Sequence, residues 1–294
     1  MTYSWQGAAV AALPGADVPY RVHGDGQPLL LLDGAGAGPS TWTLQVPALV
    51  KAGYRVILAG YRGMASGSRS SAPFTLDDLV ADAAGFIRYL GLGPTHVAGF
   101  SLGAMVAQEL AAAQPDLVLS ATLVATRART DKFRMAMIDA AQAALTASIP
   151  VPYLAVCAAM QMLSPVTLAD DSLAADWLNL LDRPQPDRDL VLAQHEVARL
   201  TDRRAVLGAV RSPCLVLSFA DDVLAPPSLG AETARAIPDA RFEVLAECGH
   251  LGMLEQPHAV TGAITRFLDA GARATDRNGL PRDAAAGQPG TGTR

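Results

Sequence analysis

A run of four leucines, Leu29 to Leu32, set between Pro28 and Asp33, constrains this chain more than any other feature. The run is too short for a buried helix, and a half-buried strand would alternate apolar with polar side chains. A strand that is apolar at every position has both faces covered, which is the condition of a parallel sheet with helices packed on each side. Further apolar runs at 18–22, 54–59, 95–100, 117–125, 214–219 and 242–245 read as its neighbours. Between them, 42–52, 75–90, 102–114 and 257–270 read as helices. Thr75 opens the second of these, with Asp77 and Asp78 suited to the positive end of the helix dipole. Gly91 and Gly93-Pro94 close it. Such alternation predicts an α/β chain with a doubly wound, mostly parallel sheet.

The stretch 126–210 breaks the rhythm. A structureless loop of that length does not fit a folded domain, and its composition is helical, so it reads as a cap inserted into a core formed by 1–125 and 211–270. From Gly271 the chain becomes GARATDRNGLPRDAAAGQPGTGTR, Gly/Pro-rich and polar, so 271–294 is expected to be a disordered tail.

Composition removes several classes of function. A net charge of −5 with no basic cluster argues against nucleic acid as a partner. Cys157, Cys214 and Cys248 stand in no metal-binding or redox spacing, which fits a reducing cytoplasm. The N-terminus has neither the basic start nor the apolar stretch of a signal peptide, and a cytoplasmic location is expected. The longest uncharged stretch, 140–169, is broken by Pro150, Pro152, Pro165, Gln142 and Gln161. It leaves no clean apolar segment of about 20 residues, so no membrane partner is expected.

The chemistry gathers at strand ends. Gly99-Phe100-Ser101-Leu102-Gly103 fits G-x-S-x-G. That pattern is weak alone, but here an apolar strand (HVAGF) precedes it and a helix (MVAQELAAA) follows. The strand-to-helix turn must be sharp, which strains Ser101, exposes its hydroxyl, and aims the Leu102 amide at whatever that hydroxyl attacks. Gly99 and Gly103 keep neighbouring backbone clear. A serine hydroxyl is a poor nucleophile until a base takes its proton, so an imidazole is needed within reach. Asp221-Asp222 follows the strand CLVLSF, and Cys248-Gly249-His250 follows FEVLAE, just before the last helix.

Taken together, these segments resemble the α/β-hydrolase superfamily across 18–270. PLLLLDGAG resembles its oxyanion loop, GYRGMASGS its D-x-R-G-x-G-x-S segment, ADDVLAPP its acid loop and ECGHLGMLEQP its histidine loop. The resemblance implies an α/β-hydrolase fold with a helical cap inserted after the sixth strand. It implies Ser101 as nucleophile, His250 as base and Asp222, rather than Asp221, as the acid orienting that base. The oxyanion hole would be the amides of Ala35 and Leu102. In the insertion, ATRARTDKFR and LSPVTLADD resemble capped hydrolases of bacterial polyketide-type biosynthetic clusters. The implied enzyme cleaves an ester, or thioester, of a hydrophobic small molecule in secondary metabolism, with no cofactor and no metal, as a monomer or homodimer. A lyase or cyclase using the same triad to eliminate an acyloxy group is the alternative, and a catalytically silent ligand-binding module is the third reading.

The chain departs from the family pattern at Asp33, where many relatives have His, and at Gly60, Ala65 and Gly67, where they have Asp, Gly and Ser. The absence of Asp at position 101 excludes the haloalkane dehalogenase and epoxide hydrolase mechanisms in their usual form. Asp33, at the expected pocket mouth, would either strengthen His250 as a base or bond to nearby turn amides. The insertion offers Tyr153, Met160 and His195 as substrate contacts. Its methionines, Met135, Met137, Met160 and Met162, suit an adaptable apolar pocket; packing of the insertion against the sheet explains them equally well. Gly34, Gly36 and Gly38 do not make a dinucleotide site, because the third glycine comes one place early and Pro39 follows.

Overall fold

The computed structural model of the chain describes residues 5–38, 41–65, 73–147, 149–181 and 187–277. Its elements begin with strands β1 (Ala9–Leu13), β2 (Ala16–His23) and β3 (Gln27–Leu32). Helix α1 (Val46–Lys51), β4 (Tyr54–Ala59), α2 (Leu76–Tyr89), β5 (Thr95–Phe100), α3 (Leu102–Ala113) and β6 (Val118–Val124) follow in alternation. Helices α4 (Lys132–Thr146), α5 (Val151–Met162), α6 (Pro165–Ala169), α7 (Asp171–Leu181), α8 (Arg188–Val197) and α9 (Arg204–Leu207) then intervene. The chain returns to the sheet through β7 (Cys214–Phe219), α10 (Pro227–Ala236) and β8 (Ala240–Leu245), and ends in α11 (Gly252–Glu255) and α12 (Pro257–Arg277).

The strands form one sheet in the order β1-β2-β4-β3-β5-β6-β7-β8. β1 and β2 are antiparallel to their neighbours, and every pairing from β4 to β8 is parallel. The leucine run behaves as a doubly covered strand must. Leu30 and Leu32 join the core cluster that includes Phe86 of α2 and Met105 of α3, and Leu29 and Leu31 join the opposite cluster with Leu49 of α1 and Ile264 of α12. All four are at most 2% exposed, and each fully buried leucine contributes roughly 1.5–3 kcal/mol. β5 and β7 are buried at all positions for the same reason. The predicted start of α2 is met by a capping box: Thr75 Oγ1 accepts from Asp78 N–H, and Asp78 Oδ2 accepts from Thr75 N–H. Such caps add about 1 kcal/mol.

Besides the short α11, three elements differ from the sequence expectation. β1 adds a strand ahead of β2 across a Pro14–Gly15 turn, which makes β6 the sixth strand. α10 fills the crossover between β7 and β8. The last helix continues past Ala270 to Arg277 because 271–277 remains helical, so it takes in the start of the expected tail; 278–294 lies outside the described residues, as does Gly67. Among the described residues no helix is long and apolar enough to cross a membrane.

Candidate active site

β5 ends at the middle of the sheet, and Ser101 makes the turn into α3 at φ 53° and ψ −113°. Left-handed φ in a non-glycine residue costs on the order of 1–3 kcal/mol and persists only where its surroundings enforce it. Here the ladder and the helix both do so. Ser101 N–H donates to Val124 O on β6 at 2.9 Å, and Ser101 O accepts from Ala104 and Met105 N–H in α3. The turn tolerates no side chain on either flank. A Cβ on Gly99 would stand 2.5 Å from Ala104 N, and one on Gly103 would stand 2.6 Å from Leu32 C and 2.7 Å from Asp33 O. α3 therefore starts in direct contact with the end of β3.

Two later loops meet this serine. His250 Nε2 lies 3.0 Å from Ser101 Oγ, and its Nδ1 lies 2.7 Å from Asp222 Oδ2. A carboxylate only accepts, so Nδ1 carries the proton and Nε2 is free to accept from the hydroxyl. Asp222 Oδ1 accepts from Leu224 and Ala225 N–H, both at 2.8 Å. Burial pushes the Asp222 carboxyl up, but the His250 ring and the two amides outweigh it and hold the group below the usual carboxylate range. The neighbouring Asp221 instead donates its backbone N–H to Cys248 O. Phe100 packs against the His250 ring at 5.0 Å between centroids.

Each of these loops is also held from the inserted helices, through residues the sequence did not single out. Glu255 is the strap of the histidine loop: Oε2 accepts from Gly249 N–H at 2.7 Å, while Oε1 accepts from Ser164 N–H and Thr167 Oγ1–H at the start of α6. Leu251 N–H donates to Met162 O. The fit is close enough that a Cβ on Gly249 would meet Leu163 C at 2.5 Å. At the acid loop, the guanidinium of Arg127 donates to Leu224 O and Ala198 O, and that of Arg134 to Val223 O. Burial lowers the Arg127 pKa to about 10, opposed by the Asp222 carboxylate.

The oxyanion loop passes beside the nucleophile: a Cβ on Gly34 would stand 3.4 Å from Ser101 Cβ. Ala35 follows it, and Leu102 is the first, fully buried residue of α3. Asp33 requires a correction. It is 1% exposed rather than at a pocket mouth, and among the described residues neither carboxyl oxygen has a hydrogen-bond partner, turn amides included. The backbone is what is engaged there, with Tyr61 O–H donating to Asp33 O at 2.6 Å. Burial pushes the Asp33 carboxyl well above the carboxylate range, against a weaker lowering by the Thr41 hydroxyl.

The insertion's candidates separate. Tyr153 and Met160, on α5, are 62% and 68% exposed, so neither packs the insertion onto the sheet. His195 is half-buried on α8, and its Nδ1 is buried with no partner among the described residues. Burial and the Arg199 cation lower its pKa, and Glu196 opposes them. An open groove of about 710 Å³ between α4 and α8 is lined by Asp139, Gln142, Asp189 and Glu196. It contains none of Ser101, Asp222 and His250.

A strained serine on a strand–helix turn of a parallel sheet, bonded to a histidine that is bonded to a buried carboxylate, defines a hydrolytic class of α/β enzyme. The chain belongs to the alpha/beta hydrolase family, whose model matches residues 22–263. A Mycobacterium tuberculosis protein provisionally named non-heme bromoperoxidase BpoC is 37% identical over 257 residues, 86% of this chain and 97% of that protein. The structure of Rv0554 from the same organism superposes with a TM-score of 0.83 at 36% identity, covering 86% of this chain and 94% of that one. An Azorhizobium caulinodans protein provisionally named carbamate hydrolase RutD is 31% identical over 234 residues, 77% of this chain and 85% of that protein.

Proposed function

We propose that this enzyme cleaves an ester, or thioester, bond of a hydrophobic small molecule through an acyl-enzyme on Ser101, with the helices of 126–210 serving as a cap. The observation that carries this reading is the continuous relay from Ser101 Oγ through His250 to Asp222, at 3.0 and 2.7 Å. His250 Nε2 takes the hydroxyl proton as Oγ attacks the carbonyl carbon, and returns it to the leaving group as the tetrahedral intermediate collapses. It then takes a proton from the water that releases the acid. Asp222 keeps the ring in the required tautomer and stabilises the imidazolium. The amides of Ala35 and Leu102 hold the oxyanion, and each such donor is worth roughly 10²–10³ in rate. The resemblance of 125–134 and 163–171 to capped hydrolases of polyketide-type clusters supports a place in secondary metabolism. The name of the Azorhizobium relative refers to a carbamate, whose cleavage also begins with attack on a heteroatom-substituted carbonyl.

The test is a fluorophosphonate probe followed by turnover, in ¹⁸O-water, of a β-acyloxy ketone, which can be either hydrolysed or eliminated. The probe should add to Ser101, Ser101→Ala should lose both labelling and turnover, and one ¹⁸O should enter the released acid. Full activity in the alanine variant overturns the mechanism. Unlabelled acid together with a new carbon–carbon double bond would assign the same residues to elimination.

A further inference from the structure

The loop that would carry the Ala35 donor is Gly34-Ala35-Gly36-Ala37-Gly38, a stretch with no side chain able to fix its own backbone. The bonds it makes with its own chain segment are long: Ala37 N–H to Gly34 O at 3.3 Å and Thr41 N–H to Gly38 O at 3.4 Å. The short one comes from elsewhere. Gln194 Oε1, on α8 and 158 positions away in sequence, accepts from Gly36 N–H at 2.7 Å. Because a backbone N–H can only donate, the amide is oriented with its oxygen on the loop. Val191, one turn earlier on α8, lies beneath Gly36, its Cγ2 3.8 Å from where a Cβ would stand.

Gln194 is fully buried, and its Nε2 has no partner among the described residues. An idle buried donor costs roughly 1–3 kcal/mol, so an apolar side chain would serve better if packing were all that this position required. What the amide adds over leucine or methionine is the bond to Gly36.

We propose that Gln194 is a positioning residue for the oxyanion hole, a strut from the inserted helix α8 that sets the Ala35 amide against the carbonyl attacked by Ser101. The proposal rests on the serine-hydrolase reading above. It makes the oxyanion hole a joint product of sheet and insertion, because one donor lies on the sheet's own turn while the other is held by α8. A donor displaced by about 1 Å costs on the order of 10² in rate, less than one removed.

The experiment compares the wild type, Gln194→Met and Gln194→Glu on p-nitrophenyl butyrate, with active sites counted by fluorophosphonate titration. Titration of the wild type at Ser101 tests the underlying reading, so its failure is distinct from failure of this proposal. Per titrated site, Gln194→Met should lose 10- to 100-fold in kcat with KM within about twofold. It should lose a similar factor in affinity for a trifluoromethyl ketone, which forms an oxyanion on Ser101, but not for the unreactive alcohol of the same shape. Gln194→Glu keeps an acceptor at the same reach and should recover at least tenfold of the loss. Wild-type kcat in Gln194→Met, or equal loss of affinity for ketone and alcohol, overturns the proposal. If Gln194→Met yields no titratable sites, Gln194→Glu decides: kcat within tenfold of wild type supports the strut, and a lower value overturns it.

Discussion

Substituting Gly103 by alanine tests the claim that the nucleophile's position is set by backbone contact between α3 and β3. The new Cβ would stand 2.6 Å from Leu32 C and 2.7 Å from Asp33 O, and closer still to Leu32 O. Ordinary contact begins near 3.4 Å, so more than about 0.8 Å of separation must be found. β3 is bonded on both sides, to β4 and β5, so the start of α3 gives way and takes Ser101 with it. Overpacking against backbone, which has no rotamer to escape into, should cost about 3 kcal/mol, the upper part of the usual range. At about 2–4 °C per kcal/mol, Tm should fall by roughly 6–12 °C. Displacing Ser101 Oγ from His250 by most of an ångström should lower kcat by about 10². Gly85→Ala in α2 is the matched control, since its Cβ would meet only Leu13 Cδ1 at 3.8 Å. A mid-helix glycine is a cost relative to alanine, so that variant should gain about 0.5–1 kcal/mol with activity unchanged. Differential scanning fluorimetry and aryl-ester kinetics on both proteins decide the matter. A Gly103→Ala protein that melts with the wild type and keeps its kcat would refute the contact argument.

The two adjacent carboxylates should separate cleanly. Asp222→Asn should lower kcat by about 10⁴ through loss of the correct His250 tautomer, whereas Asp221→Asn, measured in the same assay, should stay near wild type. Asp33 predicts a pH signature in stability. Its folded pKa is raised, so below about pH 4 the carboxyl is neutral in both states. As pH rises past that value, the unfolded chain ionises first and stability falls until the folded pKa is passed. Asp33→Asn should remove that decline, so its Tm advantage over wild type should grow from pH 4 towards neutrality; parallel Tm–pH curves would show that Asp33 is paired.

How far the sequence could be read depended on where each signal was written. The leucine run and the Ser101 turn are local patterns whose physics is contained in a few consecutive residues, and both appear where expected. β1 was not legible because AVAAL carries a weak strand signal, although the Pro14–Gly15 turn joining it to β2 was visible. α10 opens with Pro227 at its first turn, a helix-start signal that went unread. The histidine and acid loops were found, yet their supports were not. Gln194 and Gly36 are brought together only by tertiary packing, and nothing in the neighbourhood of either residue announces the other. For Tyr153 and Met160 composition offered both a pocket role and a packing role, and their exposure on α5 removes the packing one.

The insertion leaves the sheet at β6 and returns at β7, and these two strands are immediate parallel neighbours. A crossover of any length can span that gap without altering register elsewhere, so the site is open to grafting: helices from a relative can be exchanged there, and the barrel of possible substrates changed, while the sheet folds as before. The hydrogen bonds that steady the catalytic loops nevertheless depend on groups inside the exchanged segment: the guanidinium donors of Arg127 and Arg134, the Gln194 oxygen that accepts from Gly36 N–H, and Ser164, Thr167 and Met162 at the histidine loop. A chimera that transplants only the lining of a new pocket would inherit a sound scaffold with slack loops. One that also carries an arginine to Leu224 O, an amide to Gly36 N–H and the Ser164 and Thr167 partners of Glu255 would keep its chemistry.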